Sequence, residues 1–128
     1  MYSRKKEVVI DAKAVDTTSG AIVVSGAKKI IIEFIESGTV LNRSAVLTIT
    51  GSMEEGGTHV AIPMVDNVAN TNAQTITRVA SKTRNAAGRD IMAIDLEHFG
   101  FAEIKAAIDV TDGATPTGAF TVNAFIEK

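Results

Sequence analysis

Apolar side chains recur at every second position in six separate stretches, and this periodicity constrains the fold more than any other feature. In 7–15, Ile10, Ala12 and Ala14 fall on one face, with Asp11 and Lys13 on the other. In 29–36, Ile30, Ile32 and Phe34 oppose Ile31, Glu33 and Ile35. Leu47 and Ile49 alternate with Thr48 and Thr50, and Met92, Ile94 and Leu96 keep the same spacing. The last two stretches present Ile104, Ala106, Ile108 and Val110, then Phe120, Val122, Ala124 and Ile126. Successive side chains of a strand leave opposite sides of the pleat, so one apolar face per stretch is what a half-buried antiparallel strand requires.

Turn chemistry falls between these stretches. Ser19-Gly20 and Ser25-Gly26 flank a short strand at 21–24, Ser37-Gly38 ends the isoleucine-rich stretch, and Glu54-Glu55-Gly56-Gly57 marks a tight turn. Short strands at turn-marked spacing predict an all-β fold: an antiparallel β-sandwich, jelly-roll-like, with roughly eight strands in two sheets of four. A chain of 128 residues fits a single domain, 1–128, that buries a core without staples. Two features depart from the rhythm: a short N-terminal arm (1–6) and a long polar loop (about 66–88) holding a weak strand at 75–79. A short helix at 96–100 is a weaker expectation. The segments 101–110 and 119–126 have matching alternation around Thr-Asp-Gly-Ala-Thr-Pro-Thr-Gly (111–118), and are expected to form an antiparallel hairpin. Its last strand then needs a pairing or capping neighbour.

The chain has no cysteine, which excludes disulfide frameworks, cysteine–zinc sites and thiol nucleophiles. A net charge of −2 and a pI near 5.6 argue against a nucleic-acid partner. The apolar run at 30–35 is too short to span a bilayer and is broken by Glu33, and Glu7 and Asp11 interrupt any signal-like segment, so no membrane partner is expected. His59 and His98 stand apart; only Glu97 adjoins His98, and strand neighbours point to opposite faces, so no metal site is expected. No serine lies in a nucleophile elbow, Glu54-Glu55 reads as a solvated turn, and Gly51 to Gly56 lacks the lysine and helix of a phosphate loop. The expectation is therefore no enzyme, no catalytic residue, no cofactor and no small-molecule substrate.

Candidate contact residues are basic or aromatic. Arg4, Lys5 and Lys6 read as a solvated tail, with an acidic partner as the alternative, and Arg78, Lys82, Arg84 and Arg89 make the polar loop region locally basic, with the same two readings. Phe125 alternates out of the face set by Phe120, Val122, Ala124 and Ile126, which suits either a second-sheet contact or a partner contact.

The stretch 103–126, from Glu103-Ile-Lys-Ala-Ala through Val-Thr-Asp-Gly-Ala-Thr-Pro-Thr-Gly to the final alternating strand, resembles the end of small tailed-phage head proteins. It is similar to the capsid cement, or decoration, proteins of the Bbp16-like jelly-roll type. That resemblance implies a homo-oligomer made in the host cytoplasm. It would sit on the outer capsid surface of the virion, bind the major capsid protein and bridge neighbouring capsomers without catalysis. The alternatives are another head–tail or tail subunit, or a carbohydrate-binding β-sandwich module. The last is disfavoured because the chain has no Trp and a single Tyr, Tyr2, with which to stack sugar rings.

Overall fold

The computed structural model describes residues 4–37, 42–66, 78–96 and 100–128. Twelve strands and no helix occur among these residues: β1 (Arg4–Lys13), β2 (Thr17–Thr18), β3 (Ile22–Val23), β4 (Lys29–Ser37), β5 (Arg43–Ser52), β6 (Val60–Ala61), β7 (Met64–Asp66), β8 (Arg78–Val79), β9 (Lys82–Arg84), β10 (Gly88–Ile94), β11 (Glu103–Asp112) and β12 (Ala119–Glu127). They form two antiparallel six-stranded sheets. One has the order β1-β12-β4-β10-β7-β8. The other runs β2-β11-β5-β6, with β3 also on β11 and β9 also on β5. Taking β2 and β3 as one interrupted strand, the principal strands read β1-β12-β4-β10 and β2/β3-β11-β5-β9. That is the strand order of an eight-stranded jelly roll.

The inward residues are those the alternation assigns. Ile30, Ile32 and Phe34 of β4, Leu47 and Ile49 of β5, and Phe120, Val122 and Ala124 of β12 have no accessible surface, and Met92, Ile94, Ile104, Ala106 and Ile108 join them. Phe34 and Phe120 meet with ring centroids 6.0 Å apart. Each Ile, Leu, Val, Met or Phe among them contributes about 1.5–3 kcal/mol by leaving water, and the alanines less.

Three expectations change. The extra strands beyond eight are two or three residues long, and ladders this short leave no alternation to read. In β1 the alternation fails after Ile10, because the register against β12 shifts between Val8 and Ile10 and again between Ile10 and Lys13. Ala12, expected inside, is exposed and has φ of 48°. The third change is the larger one: β11 and β12 do not pair. β11 lies between β5 and the short strands β2 and β3, whereas β12 lies between β1 and β4 in the opposite sheet. Two stretches of equal alternation around a polar connector fit face-to-face packing as well as pairing, and six connecting residues are enough to cross sheets about 10 Å apart.

That crossing is built by Asn42 and Arg43 at the start of β5. Gly113 N–H donates to Asn42 O at 2.6 Å, and Asn42 Nδ2 donates to Ala114 O. Arg43 holds both ends of the connector, through Asp112 Oδ1 at 2.7 Å and Gly118 O at 2.6 Å. The expected helix at 96–100 and most of the expected strand at 75–79 lie outside the described residues, although 78–79 form β8.

Candidate functional site

In an antiparallel ladder, residues directly opposite one another share a face. On the outward face of the β1–β8 sheet, the registers align Lys6, Phe125, Ile31, Ala93, Val65 and Arg78 in one row across all six strands. The row is apolar in its middle and cationic at both ends. The next row aligns Val8, Asn123, Glu33 and Ile91, and Ile35 follows beside Arg89. Val8 is 52% exposed and Ile91 40%, while Phe125, Ile31 and Ile35 are half-buried.

Most polar groups on this face are paired, although Asn123 Oδ1 is buried without a hydrogen-bond partner. Arg89 Nη1 donates to Glu33 Oε2 at 2.7 Å, and Asn123 Nδ2 donates to Glu33 Oε1 at 3.0 Å. Arg4 is joined to Glu127, and Arg78 Nε lies 3.1 Å from Asp95 Oδ2. Lys6 Nζ stands 6.0 Å from the Phe125 ring centroid, within cation–π range. The fold therefore gathers Arg4, Lys6, Arg78, Arg89 and Phe125 onto one surface. The basic run Arg4-Lys5-Lys6, expected as an arm, forms the first three residues of β1; Lys5 turns to Glu7 at 2.7 Å. The expected need for a cap on the last strand is met inside the chain, since β12 is paired on both sides.

Lys82 and Arg84 act elsewhere. Both sit on β9 in one sheet and reach carboxylates of the other: Lys82 Nζ to Asp66 Oδ2 at 2.6 Å and Arg84 Nη1 to Asp90 Oδ2 at 2.8 Å. Asp66 and Asp90 are buried, so these pairs clamp the sheets together along one side of the sandwich.

Several further groups come together only in three dimensions. His59, isolated in the sequence, has Nε2 3.3 Å from Glu103 Oε1, and the same oxygen accepts from Gly56 N–H at 3.0 Å. Nδ1 of His59 lies 3.2 Å from Gly57 O, whereas Nε2, though near Glu103, makes no hydrogen bond. Nothing short of a 44-residue loop closure could bring that pair together, so no local spacing signals it. Glu36 faces inward on β4, is 2% exposed, and has no hydrogen-bond partner on either carboxylate oxygen. Burial pushes its carboxyl above the ordinary glutamate range, partly offset by the positive charges of Arg84 and Arg43. Beside the 54–57 turn an apolar groove of about 700 Å³ is lined by Gly51, Met53, Val60, Ile62, Pro63 and Phe101, with the Arg78–Asp95 pair at its edge. No cluster of three metal-ligating side chains occurs among the described residues; His98 lies outside them.

No family model matches the chain, and no curated protein matches it. Similar folds occur among solved structures. The SPBc2 prophage-derived protein YomS superposes with a TM-score of 0.68 at 12% identity, over 100% of this chain and 96% of that one. The PBSX exported protein XepA gives 0.71 at 17% identity over 99% of this chain, which spans 38% of that longer protein. A chain of turnip yellow mosaic virus gives 0.52 at 10% identity, over 99% of this chain and 78% of that one. At these identities the likeness is one of fold.

Proposed function

We propose that this chain is a structural protein of a phage virion, and within that class a cement or decoration protein. It would bind the outer capsid surface and stabilise the shell by bridging neighbouring capsomers. The observation that carries the reading is the jelly-roll strand order of the described residues, together with a likeness of fold to proteins of two prophages and to chains of plant viruses. An outward sheet face with an apolar row set among cations supports it, because such a face suits a standing protein contact. The mechanism is linkage: a protein that binds the assembled shell and not its free subunits raises the shell's apparent stability by mass action. Copies repeated on a lattice reinforce one another, so each contact can be modest.

The test is purification of virions on a density gradient, followed by mass spectrometry and thermal challenge. The expected result is many copies per particle, and heads that open at lower temperature when the gene is deleted. Copies confined to the neck or tail would favour the joining-subunit reading. Recovery in the medium and not with particles would favour an exported role, in line with the similar XepA being an exported protein.

A further inference from the structure

The two outward faces of the sandwich differ in chemistry. On the β5–β11 sheet the outward pairs are Thr50 with Lys105, Thr48 with Ala107, Val46 with Asp109 and Ser44 with Thr111. That surface is mainly polar, with Val46, Ala107 and the 49% exposed Val23 of β3 set among Thr, Ser, Lys and Asp. The β1–β8 sheet instead has apolar side chains on both faces, and only the inner one is covered by the core. Around its apolar rows stand Arg4, Lys6, Lys29, Arg78 and Arg89 against Glu33, Asp95 and Glu127, a cationic excess on a chain whose net charge is −2. The β1 edge is poorly suited to recruiting another strand, since six of its ten residues are charged and it carries two register shifts. That leaves the outward face, rather than the β1 edge, as the surface suited to contact.

We infer that this face docks on a protein surface with an apolar centre and an acidic rim, and that the shell subunit required by the proposed function supplies it; the inference rests on that reading. A second copy of this chain is the poorer occupant, because two such faces meeting would set like charges against each other. Ile91, at the middle of the face, is the side chain whose charge substitution bears most directly on docking.

The experiment is co-sedimentation of the purified chain with purified heads of the encoding phage lacking this protein. The variants are Ile91→Asp, the double variant Lys6→Glu with Lys29→Glu, and Lys105→Glu on the opposite face; thermal melts confirm that each is folded. Wild type is expected to bind, the first two variants to bind at least tenfold more weakly, and Lys105→Glu within twofold of wild type. Binding that survives Ile91→Asp and the double variant overturns the face assignment alone. Equal weakening by Lys105→Glu overturns it as well. Failure of the wild type to bind overturns the cement reading and this inference with it. Self-association of the wild type in analytical ultracentrifugation, abolished by Ile91→Asp, assigns the face to a second copy and overturns the choice of partner.

Discussion

Glu36 lies opposite Gly88 and Phe120 in the sheet, on the inward side of β4, with its carboxylate out of water and without a hydrogen bond. Its folded-state affinity for a proton is raised, so the stability it contributes is fully present below the ordinary glutamate value and is lost as pH rises through its raised one. Glu36→Gln is expected to unfold at higher urea than wild type at pH 8, with the two converging as pH falls towards that ordinary value. A less stable Gln variant at pH 8 would show that attraction to Arg43 and Arg84 outweighs burial. Arg84 is the contrasting case. It neutralises buried Asp90 and also donates to Ala86 O and Ala87 O, so Arg84→Ala is expected to cost about 3–5 kcal/mol in chemical denaturation. At Gly51 a Cβ would overlap Ile62 and come within 2.8 Å of the Phe101 ring. Gly51→Ala is expected to cost about 1–3 kcal/mol and to shift the floor of the apolar groove.

Among the elements, the 113–118 connector decides the topology. Arg43 reaches from β5 to Asp112 at one end of it and Gly118 at the other, so the crossing between sheets is held by a residue 69 positions from the first and 75 from the second. Arg43→Ala is expected to lower the unfolding midpoint and to speed proteolysis within 113–118, as read by limited digestion. Unchanged cleavage there would mean that the Asn42 hydrogen bonds suffice. The alternation of 101–110 and 119–126 is legible in the sequence; their separation into different sheets is not, because period two reports which face is buried and not which strand is adjacent.

For the molecule as a whole, the contrast between its outward faces gives the clearest consequence. Mutations on the Lys105 face are expected to leave particle stability within error, whereas charge placed at Ile91 should lower the temperature at which heads open, at unchanged melting temperature of the isolated protein. Of the candidate contacts, Arg4, Lys6, Arg78, Arg89 and Phe125 converge on one surface although they come from both ends of the chain and its middle. Lys82 and Arg84 look alike in sequence but are spent between the sheets. Nothing in a run of basic residues distinguishes a solvated cation from one aimed at a buried aspartate, since the aspartate's position comes from another strand.

The sequence by itself determined the class of fold and most of the core, because strand geometry gives each residue only two sides and the apolar set chooses between them. Strand order, the gathering of outward apolar side chains from several strands onto one face, the lack of any hydrogen-bond partner for Glu36 and the His59–Glu103 proximity were decided only by tertiary structure. Each of these depends on which distant strand arrives alongside, and local periodicity carries no term for that.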